Sequence, residues 1–198
     1  MVIPSEAKYL IDLQRSGYKD IIKDYDTDMQ KEFNDIKEYL PNKCDNILDI
    51  GCGLCGMDVL LAMYYNNDVT LNLVDKDVIE DIIYYGYKEK TSFYNSFTIA
   101  EKILRSNKIN KFRFINANCG SALVGLEKQD LIISLLSCGY HYPVETYIEK
   151  INELLTDDGV LIIDIRENTK GIETVKKYLP NIQIISTYNK STRIQAKR

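Results

Sequence analysis

The stretch ILDIGCGLCGMD, from Ile47 to Asp58, constrains this chain more than any other. It reads as a buried strand, Asn46 to Ile50, then a turn spelling G-x-G-x-x-G on Gly51, Gly53 and Gly56, then a helix from about Met57. A strand that turns sharply into a helix opens a Rossmann-type α/β unit. Glycine suits the turn because a Cβ would block the approach of a nucleotide ligand. A glycine turn that binds nothing is spelled the same way, so the flanking residues decide.

Asp49 stands two residues before the first glycine, at the carboxyl end of the strand. A dinucleotide site uses the bare helix N-terminus for a pyrophosphate, and a fixed anion there works against it. S-adenosylmethionine has no phosphate, and its ammonium and sulfonium suit a carboxylate beside the turn. The run resembles motif I of the class I S-adenosylmethionine-dependent methyltransferases, an acidic residue followed by G-x-G-x-G. Cys55 replaces the third glycine of that form, with Gly56 directly after it. The resemblance implies cofactor contacts from Asp49, Gly51, Cys52 and Gly53.

The chain has 198 residues, enough for one full core and too few for two comfortable domains. A helical cap is expected over residues 1–43 and the methyltransferase domain over 44–198, as one folded unit. No apolar run reaches the roughly 18 to 20 residues of a membrane span, and MVIPSEAKYL lacks the regions of a signal peptide. A cytoplasmic protein is expected. Five cysteines, an odd and scattered set, do not form a secreted disulfide framework. Cys52 and Cys55 spell C-x-x-C, but with no second pair and one distant histidine they read as small turn residues, and no metal site is expected. A net charge of −4 disfavours nucleic acid as a partner. The basic end, Lys190, Arg193, Lys197 and Arg198, fits a solvated edge strand as well as a ligand.

Residues 1–40 read as helical: a first segment near Glu6 to Ile22 with Ser5 as N-cap, and a second with Met29, Phe33, Ile36 and Leu40 on one face, ended by Pro41. In the resembled family such helices lie over the substrate pocket; covering the sheet is the plain alternative. VTLNLVD, Val69 to Asp75, is a second strand ending in an acid 19 residues after Gly56, near the spacing at which a carboxylate accepts the ribose hydroxyls. Lys76, beside it, joins the expected cofactor contacts. A connection with Tyr84, Tyr85, Gly86 and Tyr87 leads to a helix with Phe93, Phe97, Ala100 and Leu104 on one face. Lys111 to Cys119 is a third strand. The family places an adenine-binding residue after it, here Asn118, with Asn116 or Ala117 as alternatives.

QDLIISLLSCGYHYP, Gln129 to Pro143, is an apolar strand ending in a polar and aromatic turn, and it resembles motif IV. Ser137-Cys138-Gly139-Tyr140 lacks the prolines that amino-methylating nucleic-acid enzymes carry there. Ser137 is expected at the cofactor. His141, the single histidine, falls at the carboxyl edge of the fourth strand, where an open α/β sheet builds its ligand crevice. It is the candidate general base, with Tyr140 and Tyr142 as neighbours that could orient a hydroxyl; a structural histidine is the alternative. Cys138 is a weak candidate nucleophile, and Arg166 a candidate for an anionic substrate.

A helix over Val144 to Leu155, a turn at Asp157-Asp158-Gly159, a fifth strand ending at Arg166, a helix with Ile172, Val175 and Leu179, and a hairpin about Asn189 complete the chain. The expected fold is a Rossmann-like, seven-stranded, mostly parallel sheet with N-terminal helices, and the resemblance implies that its last strand is antiparallel. The resemblance implies methyl transfer from S-adenosyl-L-methionine. The wording around FYNSFTIAEKILRSNKI and SCGYHYPVETY is similar to sugar O-methyltransferases, which implies a small-molecule acceptor. A nucleic-acid or protein methyltransferase, and a non-catalytic cofactor-binding protein, are the alternatives.

Overall fold

A computed structural model describes residues 1–15, 17–79, 94–117, 123–188 and 190–198. The elements in chain order are α1 (Lys8–Gln14), α2 (Ile21–Ile36), β1 (Asn46–Ile50), α3 (Gly56–Tyr64), β2 (Thr70–Asp75), β3 (Val78–Ile79), β4 (Tyr94–Asn95), α4 (Phe97–Ser106), β5 (Phe112–Asn116), β6 (Gln129–Ser134), α5 (Ile148–Leu154), β7 (Leu155–Arg166), α6 (Gly171–Tyr178), β8 (Asn181–Tyr188) and β9 (Ser191–Lys197).

Seven strands form one sheet in the order β5-β2-β1-β6-β7-β9-β8. The pairs β1–β2, β1–β6, β2–β5 and β6–β7 are parallel, whereas β9 runs against both β7 and β8. The last strand is therefore the antiparallel one, as expected. Order reverses between β1 and β6, which start neighbouring crossovers on opposite sides, and the crevice at their carboxyl ends is where such sheets bind ligands.

Alternate residues feed two cores, as the two-residue period of a strand requires. Ile47, Leu71, Leu73, Leu131, Ile133 and Ile162 pack with α1, α2, α3 and α4 on one face. Leu48, Ile50, Val74, Ile132, Leu161 and Ile163 pack with α5 and α6 on the other. Burial on both faces explains why LIIS and VLIID read as continuous apolar runs. Among the described residues no helix is long and apolar enough to cross a membrane.

Four expectations are corrected. The segment from Glu6 to Ile22 is not one helix: α1 ends at Gln14, Gly17 takes φ +101°, and Asp20 caps a new helix by accepting from the Lys23 amide at 3.3 Å. Ser5 makes no capping bond; its hydroxyl donates to Glu6 Oε2 at 3.3 Å. The turn expected at Asp157–Gly159 is an excursion within β7, where the pairing steps from Gln129 with Leu155 to Leu131 with Val160. The basic end is no solvated edge, because β8 takes the edge and β9 lies inside the sheet with Arg193 buried. The short β3–β4 ladder was not foreseen. The tyrosines at 84, 85 and 87, Gly86 and Phe93 lie outside the described residues.

Candidate active site

The glycine turn is anchored before any ligand is considered. The amides of Gly51 and Cys52 donate to the Val74 carbonyl at 2.8 and 3.2 Å, tying the end of β1 to the end of β2. Gly51 has φ +92°, and a Cβ on it would overlap the Ser137 side chain. Gly56 has no positive φ, but its Cβ would meet the Tyr25 hydroxyl and, at 2.9 Å, Met29 of α2. These two glycines admit the chain's own side chains; Gly53 leaves space, the nearest atom to its Cβ position being Gln14 Oε1 at 3.7 Å. Cys55 adopts the left-handed conformation, φ +62° and ψ +25°. The position thus takes a backbone conformation that glycine adopts freely, at a conformational cost of about 1–2 kcal/mol for an L residue.

Three carboxyls gather around this turn. Asp75, at the end of β2, accepts from the Gly53 amide at 2.8 Å and the Lys76 amide at 2.7 Å. Burial pushes it up to about 6, and those amides hold it down from going higher. Asp49 is buried and pushed well up by burial and by Asp58. Asp58, in the first turn of α3, is raised to about 7, chiefly by burial. Asp49 and Asp58 lie close enough to share a proton, yet neither Asp58 oxygen makes a hydrogen bond of regular geometry with a described residue. The Cys52 and Cys55 thiols are also raised by burial, Cys55 to about 12, so both stay protonated at neutral pH and pack as small apolar groups.

The turn after β6 forms the facing wall. Ser134 Oγ donates to the Ile50 carbonyl at 2.7 Å and accepts from the Cys138 amide at 2.9 Å, locking the turn to β1. The Tyr140 and His141 amides both donate to the Ser137 carbonyl, at 3.1 and 2.8 Å. Leu136 takes φ +53°, and its amide donates to Asp164 Oδ2 at 3.0 Å. Cys138 is buried, with its thiol pushed up by that burial, which leaves it a packing residue. Arg166 lies over the Tyr140 ring at 4.9 Å and donates to the Tyr140 carbonyl at 3.0 Å, so it shapes this turn.

Between these walls lies a cavity of about 300 Å³. Asp49, Gly51, Cys52, Gly53, Asp75, Ser137 and His141 all border it. Tyr140 does not: it lines a neighbouring cavity of about 300 Å³ with Tyr188, Lys190 and Arg193, and Glu32 and Leu136 border both. Lys76 lends its amide to Asp75 and lies outside the lining. Asn118 lies outside the described residues. Asn116 pairs with Asp75 in the β2–β5 ladder, and the Ala117 amide donates to the Asp75 carbonyl at 2.8 Å.

Sequence reasoning gave the N-terminal helices a place over the pocket as one alternative but named none of their residues: Gln14, Arg15, Tyr25, Met29 and Glu32 all reach the first cavity. It also missed Asn95, on β4. A charged residue on an otherwise apolar helix face, Glu32 beside Met29 and Phe33, was the available signal.

No protein-family model matches the sequence, and no curated protein matches it. Solved structures do. The precorrin-6y C5,15-methyltransferase of Geobacter metallireducens GS-15 superposes with a TM-score of 0.58 at 12% identity, over 86% of this chain and 87% of that one. The chain has the class I methyltransferase fold. The O-methyltransferase segment of StiE gives 0.61 at 10% identity, over 99% of this chain and 82% of the other. The T. thermophilus 16S rRNA N2 methyltransferase, solved with AdoMet and guanosine, gives 0.57 at 14% identity over 92% of this chain, which spans 44% of that one. At these identities the likeness is one of fold, and these folds carry three different acceptors.

Proposed function

We propose that this protein is an S-adenosylmethionine-dependent methyltransferase that transfers the methyl group to a hydroxyl of a small molecule. One observation carries the reading: Asp49, the Gly51–Gly53 turn and Asp75 border a single cavity at the carboxyl ends of β1 and β2. The donor set fits the cofactor. Each Asp75 oxygen accepts one amide and keeps a lone pair for a ribose hydroxyl. Asp49 places an acid beside the turn, which suits an ammonium and works against a pyrophosphate.

When bound, the cofactor supplies an electrophilic sulfonium methyl. The chain's own part is to hold the acceptor oxygen in line and keep water away. His141 borders the cavity, and its neutral imidazole accepts the proton the hydroxyl loses. Tyr140, in the adjoining cavity, orients the acceptor from the other side of Leu136. That second cavity pairs two tyrosines with Asp28, Lys31, Asp35 and Lys190, a mix of ring faces and hydrogen-bonding groups suited to a polyhydroxylated acceptor such as a sugar or nucleotide sugar. The described cysteines are free thiols, the state a reducing cytoplasm maintains.

The test is thermal unfolding with S-adenosylmethionine, S-adenosylhomocysteine and NAD. A ligand at a hundred times its dissociation constant adds roughly 2.7 kcal/mol, or about 2–4 °C per kcal/mol for a domain of this size. Stabilisation by the two sulfur nucleosides alone, abolished by Asp75→Ala, is the expected result. No shift with either, in a folded sample, rejects the reading.

A further inference from the structure

The cofactor cavity is roofed by the N-terminal segment. Gln14 stands over Gly53, and Tyr25 and Met29 are pressed against Gly56. The charges of the lining are unbalanced. Asp49, Asp75 and Glu32 supply three carboxyls, whereas Arg15 is the one lysine or arginine among the described lining residues. A ligand carrying an ammonium and a sulfonium answers the acids, but its amino-acid carboxylate needs a cation. We propose that Arg15 binds that carboxylate, which makes the end of α1 part of the cofactor site. The inference rests on the S-adenosylmethionine reading and names the group that recognises the tail.

Three features equip Arg15 for this. Its guanidinium has five N–H donors, and one of them, on Nη2, donates to Glu32 Oε1 at 3.0 Å. Its Nη1 stands 3.6 Å from Asp28 Oδ2, an ion pair longer than a hydrogen bond, so donors remain for a bidentate carboxylate. The side chain is 25% exposed, positioned by its neighbours but not sealed by them. Glu32 does not depend on Arg15 alone, because Arg193 Nη2 lies 3.6 Å from its other oxygen. An arriving carboxylate therefore shares Arg15 without stranding Glu32.

The test separates this role from simple anchoring of the helical segment. Wild type and Arg15→Gln are titrated calorimetrically with S-adenosylhomocysteine and with its decarboxylated analogue, which keeps the ammonium but lacks the carboxylate. Wild type is expected to prefer S-adenosylhomocysteine by about 10- to 100-fold, the range for a charge-assisted hydrogen-bonded pair. Arg15→Gln is expected to bind the two alike, with affinity for the analogue within threefold of wild type, and Arg15→Lys to restore part of the preference. Equal weakening toward both ligands in Arg15→Gln makes Arg15 a scaffold residue and overturns the proposal, as does an undiminished preference. Should Arg15→Gln fail to fold, the Arg15→Lys preference decides: unchanged selectivity rejects the proposal. Wild type binding neither ligand rejects the cofactor reading itself, and this inference with it.

Discussion

The Gly53 amide donates to Asp75 Oδ2 at 2.8 Å, joining the middle of the glycine turn to the acid at the end of the next strand. The two features that the sequence offers separately are thus one unit. The carboxylate is oriented by two backbone amides, and under the proposed function it and the turn are thereby held ready for the ribose of the cofactor. Preorganisation of this kind keeps the ordering cost out of the binding step.

Affinity for S-adenosylhomocysteine should depend on pH through Asp75. Burial raises this carboxyl to about 6, and only its ionised form accepts both ribose hydroxyls. Binding is therefore strongest above pH 6 and falls as Asp75 protonates below it. Calorimetry at pH 8 and pH 5 should show about a tenfold loss, since each unit below the pKa costs a factor of ten. Asp75→Asn should weaken binding at pH 8 and flatten the profile.

Asp49 and Asp58 make the folded chain less stable as pH rises. Both carboxyls have raised folded values, Asp58 near 7, so the native state binds more protons than the unfolded chain, whose carboxylates titrate near 4. Their contribution is fully present below about pH 4 and is lost as pH rises, for Asp58 through about 7. Urea unfolding at pH 5 and pH 8 should show that decline for wild type. Asp58→Asn should flatten it and gain about 1–3 kcal/mol at pH 8, by removing a charge whose oxygens make no hydrogen bond of regular geometry among the described residues.

Much of this was legible from residue order, for physical reasons that differ by element. Asn46–Ile50 and the apolar run after Gln129 were readable because strands buried on both faces admit little else. The terminal hairpin was readable from its turn residues, whereas the antiparallel direction of the last strand came from the family resemblance. Asp49, Asp75 and His141 share a cavity because all three stand at carboxyl ends of neighbouring strands, which topology makes adjacent. What stayed hidden depends on tertiary contact. Gly51 and Gly56 look alike in sequence, but one faces Ser137 and the other α2. Arg193 reads as a solvated charge until its partners, 29 residues away at Asp164 and on α2 at Glu32, are known.

Gly51→Ala should therefore be far more damaging than Gly53→Ala. At Gly51 a Cβ meets the Ser137 side chain and must also adopt a positive φ, whereas at Gly53 the added atom has room and only φ is strained. Left-handed strain costs about 1–3 kcal/mol and overpacking a further 1–3 kcal/mol. Denaturant unfolding should place Gly51→Ala about 2–6 kcal/mol below wild type. Adding Ser137→Gly should recover the overpacking part and leave the conformational part.

Arg193 and Asp164 should behave as a pair whose members cannot be removed singly. Arg193 Nε donates to Asp164 Oδ1 at 2.7 Å and Nη2 to Oδ2 at 2.9 Å, with both side chains buried between β7 and β9. Deleting one partner leaves the other's charge desolvated, which costs about 3–5 kcal/mol, while replacing both with apolar residues of similar volume is often neutral or stabilising. Asp164→Leu and Arg193→Met should each lower the unfolding free energy by that amount, and the double variant should return most of it. Function should not return with stability. Asp164 Oδ2 also accepts the Leu136 amide, which holds that residue at φ +53° on the wall shared by the two cavities. The double variant frees Leu136 to relax toward negative φ and removes Arg193 from Glu32, which then rests on Arg15 alone. A refolded double variant with reduced S-adenosylhomocysteine affinity and reduced methyl transfer is the expected outcome, measured by calorimetry and by release of S-adenosylhomocysteine. Full recovery of transfer along with stability would restrict the pair to a structural role.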